Sequence, residues 1–121
     1  MRGIVLFAHG ARDPEWALPF QAMRARIVER SPGTPVTIAF LERMAPPLEE
    51  AVDSLVAGGA TAVTVFPIFM AQGGHLKEDL PRLVEAIRAR HPSVVIALEG
   101  AAGEAPEVVE AIAGWVLRRA G

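Results

Sequence analysis

The chain has 121 residues, of which 51% are hydrophobic, and its 12 basic and 14 acidic side chains leave a formal net charge of −2. This length predicts one domain over residues 1–121, and the composition excludes intrinsic disorder, which requires few apolar residues and a high net charge. No basic excess could neutralise a phosphate backbone, so we expect no nucleic-acid partner. Because the chain has no cysteine, disulfide scaffolds, thiolate metal sites and thiol catalysis are excluded as well.

The apolar runs of the chain are short. Ile4–Ala8 is too short for a signal-peptide core or a membrane span, and the longer stretch 62–71 is interrupted by Thr64 and Pro67. We therefore expect a cytoplasmic protein that does not contact a membrane.

The first half of the chain alternates strand and helix patterns. An apolar strand is predicted at Gly3–Ala8, and Asp13 suits the N-cap of the helix that follows. A second strand is predicted at Pro35–Leu41, ahead of a helix that Gly58 and Gly59 can close. The two helices are predicted from apolar faces at helical spacing: Trp16, Phe20, Met23 and Ile27, then Leu48, Val52, Leu55 and Val56.

The second half repeats the alternation. Strands are predicted at Thr61–Phe69 and Ser93–Leu98, each followed by a helix, and Arg118 and Arg119 suit the last turn of the final helix. The helical faces are Leu80, Leu83, Val84 and Ile87, then Val108, Ile112, Trp115 and Val116. For Trp16 and Trp115, which lie on such faces, we expect packing in the core or at an interface.

This order of elements predicts the fold. Apolar strands that alternate with helices imply a parallel sheet covered on both faces, which is a three-layer α/β architecture. Right-handed crossovers leave few arrangements, and of these we predict a flavodoxin-like four-stranded sheet in the order 2-1-3-4.

Candidate functional residues follow the strands. Ligands of such sheets bind outside the carboxyl ends of the strands, where the strand order reverses. His9 follows the first strand, Glu42 the second and His75 the third, so two imidazoles and a carboxylate could converge on one divalent cation such as cobalt, nickel, iron or zinc. Neighbouring glycines would permit tight turns and leave room for a large ligand; they are Gly10, Gly73 and Gly74.

Each of these residues also has a structural interpretation. A histidine at a strand end commonly forms a structural hydrogen bond, and a Gly-Gly-His segment commonly makes only a turn. Cations near the same edge would suit a polycarboxylate ligand or could be solvated loop charges; they are Arg12, Arg43 and Lys77. The third histidine, His91, precedes a proline at a helix end, and we assign it a capping or surface role.

Three segments carry a family resemblance, and one of them is Phe40-Leu41-Glu42 followed by Pro47-Leu48-Glu49-Glu50-Ala51. The run His9-Gly10-Ala11-Arg12-Asp13 and the run Gly73-Gly74-His75-Leu76-Lys77-Glu78-Asp79 together resemble the CbiX/SirB family of class II tetrapyrrole chelatases, in the short form of sirohydrochlorin cobaltochelatase. The likeness covers nearly the whole chain in order and spacing. At Ala8 and Ala11 the chain departs from the common motif, which has glycine and serine there.

The resemblance implies ATP-independent insertion of Co²⁺ into sirohydrochlorin, on the route to cobalamin. Relatives insert Fe²⁺ for sirohaem or Ni²⁺, so the metal is a substrate and no tightly bound cofactor is implied. The short form pairs as a homodimer. His9 and His75 would bind the metal and accept protons, with Glu42 as the acidic partner. The substrate would meet Arg12, Lys77, Gly73, Gly74 and an apolar cleft lined by Phe69, Met70 and Leu76.

Two other functions also use residues at this edge of the sheet. A histidine phosphatase would need arginine where this chain has Ala8. A non-catalytic carrier of metal or tetrapyrrole could use the same two-histidine site, and the sequence leaves this alternative open. Sequence patterns of nucleotide triphosphatases, dinucleotide-binding folds and α/β-hydrolases are absent.

Overall fold

The computed structural model describes residues 1–121. The strands are β1 Arg2–Ala8, β2 Val36–Phe40, β3 Ala62–Pro67 and β4 Val95–Leu98. The helices are α1 Leu18–Arg30, α2 Leu48–Ala57, α3 Gly74–Arg90 and α4 Pro106–Ala120. Short 3-10 turns at Pro14–Ala17 and Ala102–Glu104 precede α1 and α4.

The sheet confirms the predicted topology. All four strands are parallel, in the order β2-β1-β3-β4. The predicted strands extend beyond the observed ones by one or two residues at several ends. Ile68 still donates its backbone N–H to the carbonyl of Phe7 at 2.8 Å, but the ladder does not continue beyond it.

Helices cover both faces of the sheet. On one face, α2 and α3 bury a large apolar cluster against alternate residues of the strands: Val5, Phe7, Ala39, Leu48, Ala51, Val52, Leu55, Ala60, Val63, Val65, Phe69, Leu80, Val84, Ile87, Ile96 and Ala101. On the other face, α1 and its leading turn form a smaller cluster of Ala8, Ala17 and Phe40, with Trp16 and Phe20 partly buried beside it. Right-handed crossovers produce this division, because the chain reverses direction along the sheet after β2.

Local signals for the helix ends are confirmed. The side chain of Asp13 accepts a hydrogen bond from the backbone N–H of Glu15 at 2.9 Å, which caps the turn that leads into α1. His91 caps α3, and its Nε2 lies 2.7 Å from Oδ1 of Asp53 in α2. Because Asp53 also pairs with Arg90, this cluster ties the end of α3 to α2, and the structural role expected for His91 is confirmed.

The last helix departs from the rest. No residue of α4 is buried, and its main contact is with the 3-10 turn that precedes it. Trp115 is 53% exposed, so core packing, one of the two expected roles, is not found. The α1 side of β4 is also bare, since Val95 is 69% exposed. The amphipathic pattern was interpreted correctly, but this helix covers no apolar surface of its own chain.

None of the helices combines the length and the apolar character that crossing a membrane requires.

Candidate functional site

The strand register brings His9 next to the segment that follows β3. Phe7 of β1 pairs with Pro67 of β3. Two residues later on each chain segment, His9 lies opposite Phe69, and the centroids of their rings are 4.6 Å apart at an interplanar angle of 43°. The parallel register of β1 and β3 therefore brings these two side chains next to each other just past the strand ends.

Alternation along β1 places His9 on the same side of the sheet as α3. Side chains at every second position of a strand share a face, and Val5 and Phe7 pack beneath α2 and α3. His75 is the second residue of α3. The two histidines therefore occupy the same edge and the same side of the sheet, on adjacent strand–loop units.

Both candidate imidazoles are in exposed residues. The histidine whose ring hydrogen-bonds to another side chain is His91, with its partner carboxylate at 2.7 Å. His91 therefore has the structural hydrogen bond, whereas His9 and His75 have no such side-chain partner. The ring nitrogens of His9 and His75 remain free to bind a ligand.

The sequence predicted that Phe69 lines an open cleft, but the structure does not place it there. It is 6% exposed, and its ring centroid lies 5.8 Å from that of Phe7. Its strand-end position turns it into the core, so it supports His9 from below. Of the other two residues expected in this cleft, Met70 is 68% exposed and Leu76 is partly buried against the core.

Glu42 lies close to His9 through its backbone but not through its carboxylate. Its backbone N–H donates to the carbonyl of His9 at 3.0 Å, which extends the β1–β2 ladder. The carboxylate lies 4.0 Å from Nε of Arg43, and the side chain is 60% exposed. No three His, Asp or Glu residues are grouped so that they could hold a metal ion. The single chain therefore does not group two imidazoles and a carboxylate around one position, and the metal site formed by His9, His75 and Glu42 stays a prediction.

The glycines beside the histidines serve two different purposes. Gly10 has a φ of +94°, and a Cβ atom there would overlap the carbonyl oxygen of Glu42. The predicted tight turn is confirmed at this position, since L-residues rarely adopt such a backbone conformation. Gly73 and Gly74 have no such φ, and a Cβ atom at either would meet nothing within 4 Å. These two glycines leave open space beside His75.

Two positively charged side chains follow the central strands. Arg12, in the loop after β1, and Lys77, in the first turn of α3, are both exposed. Gly73 is the N-cap of α3 and offers no side chain to its first N–H groups. Unsatisfied N–H groups and the helix dipole favour anions at such an end.

A separate cavity lies nearby, and the sequence did not predict it. It has a volume of about 500 Å³ and is lined by the end of β3, the segment that follows β4 and the start of α4. Neither His9 nor His75 lines it. The contact of Phe69 with His9 was also missed, although the register of β1 and β3 would have revealed it.

Comparisons with known proteins find relatives of this chain. A sirohydrochlorin cobaltochelatase of Saccharolobus islandicus (strain L.S.2.15 / Lassen #1) is 36% identical over 87 residues, which cover 69% of this chain and 64% of that protein. The chain thus spans less than two thirds of this curated relative.

Two solved structures are similar over nearly the whole chain. A Marinobacter aquaeolei VT8 protein described as a CbiX protein of cobalamin (vitamin B12) biosynthesis has a TM-score of 0.85 at 33% identity, covering 98% of this chain and 97% of that chain. The sirohydrochlorin chelatase SirB from Bacillus subtilis subspecies spizizenii, in complex with cobalt, has a TM-score of 0.73 at 29% identity. That match covers 93% of this chain and 48% of SirB. Because the model of the CbiX family also matches residues 3–117, the chain belongs to the CbiX family.

Proposed function

We propose that this chain is a sirohydrochlorin metallochelatase that inserts Co²⁺, without ATP, into sirohydrochlorin during tetrapyrrole biosynthesis. The observation that carries the proposal is the pair of exposed histidines, His9 and His75, on one edge and one side of the sheet. Family membership and relatives that are named sirohydrochlorin cobaltochelatase support it. Fe²⁺ and Ni²⁺ are the alternative metals.

The chemistry requires a site that holds a metal and then releases it. A free macrocycle must lose two N–H protons as a divalent cation enters, so charge is conserved when two protons leave. Imidazole binds borderline divalent ions and exchanges protons near neutral pH. We assign metal binding and proton transfer to His9 and His75. Their imidazoles hold the ion against one face of the macrocycle and, as the ion moves into the ring, accept the N–H protons that the macrocycle loses. Glu42 takes protons onward to solvent, which suits its exposed carboxylate.

The surroundings suit a large, flat polycarboxylate. The open space at Gly73 and Gly74 admits the macrocycle beside His75, and the exposed side chain of Met70 offers it an apolar contact. Arg12, Lys77 and the N-terminus of α3 would bind the peripheral carboxylates, because charge-assisted hydrogen bonds to carboxylates are the stronger ones.

We further propose that two copies of the chain act together as a homodimer. This chain covers 48% of SirB, so two copies approximate the length of that protein. No three potential metal ligands are grouped in the single chain, and a second copy would add further side chains around the metal.

A visible-absorption assay with sirohydrochlorin and Co²⁺ tests the proposal. Wild-type protein should give many turnovers per chain, whereas the alternative, a metal or tetrapyrrole carrier, would stop at stoichiometric metal. His9→Ala and His75→Ala should each lower turnover by about 100-fold or more, the range of general acid–base contributions.

His91→Gln is the matched control, because the third histidine is engaged with Asp53 away from the candidate site. It should retain near-normal turnover. Near-normal turnover in both His9→Ala and His75→Ala would reject the mechanism, and activity limited to one metal per chain would favour the carrier.

A further inference from the structure

The loop that leads to His75 is held by a segment far away in the chain. Residues 68–73 join β3 to α3 and form neither helix nor strand. At the start of this loop, Ile68 donates its backbone N–H to the carbonyl of Phe7 in β1 at 2.8 Å. Beyond Ile68, the hydrogen bonds that connect the loop to other elements go to the 3-10 turn Ala102–Glu104, which follows β4. This turn therefore sets the course of the loop.

Two residues of the turn contact the loop. The backbone N–H of Gly103 donates to the carbonyl of Phe69 at 2.8 Å. A Cβ atom at Gly103 would lie 2.1 Å from the carbonyl oxygen of Met70, so only glycine permits this close approach. The carboxylate of Glu104 accepts a hydrogen bond from the backbone N–H of Gln72 at 3.3 Å. Gly103 thus fixes the first half of the loop, and Glu104 fixes its end.

Gln72 is connected directly to the helical turn that carries His75. The next residue, Gly73, is the N-cap of α3. Its carbonyl accepts hydrogen bonds from the backbone N–H groups of Leu76 at 3.1 Å and Lys77 at 3.3 Å. His75 lies within the turn that these two bonds close. A displacement of Gln72 therefore displaces Gly73 and, with it, the turn that carries the imidazole.

Few other contacts fix the first turn of α3. The first buried residue of the helix is Leu80, and before it Leu76 packs partly against the core. Gly73 and Gly74 place no side chain against a neighbour, and a Cβ atom at either would meet open space. Because glycine has the most backbone freedom to lose when a segment becomes ordered, this is the part of the loop that most needs an external contact. The hydrogen bond at Gln72 supplies that contact.

Glu104 differs in this respect from the carboxylates near it. Glu99 and Glu107 line the same cavity as Glu104, and all three residues are exposed. Of the three, the carboxylate that hydrogen-bonds to the loop before His75 is that of Glu104. The three side chains therefore carry the same charge, but Glu104 alone has a connection to the candidate site.

We propose that Glu104 is a positioning residue for His75. Its carboxylate holds Gln72 and so keeps the first turn of α3 in the place from which the imidazole binds the metal. Glu104 acts through the backbone of Gln72 and does not itself bind the metal. Its role in metal insertion rests on the chelatase function proposed above.

Amide exchange measured by NMR tests the contact in the free protein. A net hydrogen bond changes an equilibrium by a factor of about 2–12, so Glu104→Ala should speed exchange at the amides of Gln72 and Leu76 by about that factor. Exchange at Val84, in the buried part of α3, should stay unchanged, since only the first turn is released. Glu104→Gln keeps an acceptor oxygen and should exchange within about twofold of the wild type.

Steady-state kinetics of cobalt insertion test the consequence for His75. Glu104→Ala should lower kcat by the same factor of about 2–12 and leave KM for sirohydrochlorin nearly unchanged. The substitution changes how often His75 is in place, and it removes no contact with the macrocycle. Glu104→Gln should restore most of the rate, because the hydrogen bond rather than the charge is what positions the turn.

The matched control is Glu99→Ala. It removes an exposed carboxylate from the same cavity but no hydrogen bond to the loop, so exchange and kcat should both match the wild type. Because Glu104 is exposed as well, the denaturation midpoint of Glu104→Ala should also stay close to that of the wild type.

Several results would overturn the role of Glu104. One is unchanged exchange at Gln72 in Glu104→Ala, and another is faster exchange there with an unchanged kcat. Equal losses of kcat in Glu104→Ala and Glu104→Gln, or in Glu104→Ala and Glu99→Ala, would assign the effect to charge. A lower denaturation midpoint with faster exchange throughout the chain would assign it to general stability.

Failure of this role is distinguishable from failure of the proposed function. A wild-type chain that inserts no cobalt would reject the chelatase function, and exchange at Gln72 and Leu76 would still decide whether Glu104 holds the turn of His75. Normal cobalt insertion by the wild type, with unchanged exchange and kcat in Glu104→Ala, would reject the role of Glu104 and leave the chelatase function standing.

Discussion

Replacing Phe69 by leucine should show whether its ring positions His9 for the reaction as well as stabilising the core. Phe69 is 6% exposed and contacts two rings, those of Phe7 at 5.8 Å and of His9 at 4.6 Å. Leucine keeps most of the apolar volume but removes both aromatic contacts. The combined loss of ring contacts and packing should lower the free energy of unfolding by about 2 kcal/mol.

The effect on the rate follows from the contact with the imidazole. An aromatic pair contributes about 0.5–1.5 kcal/mol beyond area burial. If this energy holds the His9 ring in its working orientation, its loss should lower kcat by about 2- to 10-fold. The same variant should leave KM for the tetrapyrrole nearly unchanged, because Phe69 itself is buried beneath the site.

Phe7→Leu is the matched control for this experiment. Phe7 is fully buried and contacts Phe69, so the same substitution there should cost similar stability in a denaturant titration while kcat stays near the wild-type value. If both variants lose kcat in proportion to stability, the loss comes from the core, and the positioning role of Phe69 is refuted. If neither loses kcat, His9 keeps its orientation without the aromatic contact.

Four further substitutions test other parts of the structure by chemical denaturation. His91→Ala should cost about 1–2 kcal/mol of unfolding free energy, since it removes a partly buried hydrogen bond that ties α3 to α2; an unchanged midpoint would contradict that role. Gly10→Ala should cost more than about 1–2 kcal/mol, because its left-handed backbone and the nearby carbonyl of Glu42 both oppose a Cβ atom. Gly73→Ala, where a Cβ atom meets open space, should change stability little and raise KM for the tetrapyrrole; a loss of stability there would show that the glycine is needed for the turn. Leu80→Ala, at a position 1% exposed, should cost about 2–5 kcal/mol, as cavity-forming substitutions do.

The order and pairing of the elements were predictable from the sequence because they rest on local periodicity. Apolar runs such as Gly3–Ala8 and helical faces such as Leu80, Val84 and Ile87 were assigned correctly, and both are buried where expected. The handedness of crossovers then left the observed strand order among few alternatives. The strand order also predicts that His9 and His75 lie at the same edge of the sheet. The resemblance to the CbiX/SirB family is confirmed by the family match.

Side-chain positions beyond the strand ends depended on the tertiary structure. Phe69 was expected in an open cleft and lies in the core, because its ring packs beside that of Phe7 on the side of the sheet that α2 and α3 cover. Glu42 was expected to join the histidines, but its segment bends through Arg43, which has a φ of 66°, and its carboxylate lies toward that arginine instead. No local pattern encodes either outcome, since both depend on which strand the segment follows and how that segment turns.

The position of α4 shows where local sequence information ends. Its apolar spacing specifies an amphipathic helix whether that face covers its own sheet or the surface of another copy. The choice depends on the contact of Gly103 with the backbone of Met70 and on its hydrogen bond to Phe69. These residues are distant in the chain and meet only after the sheet has formed. Periodicity therefore determined the elements and their order, whereas long-range backbone contacts decided which apolar surface stayed exposed.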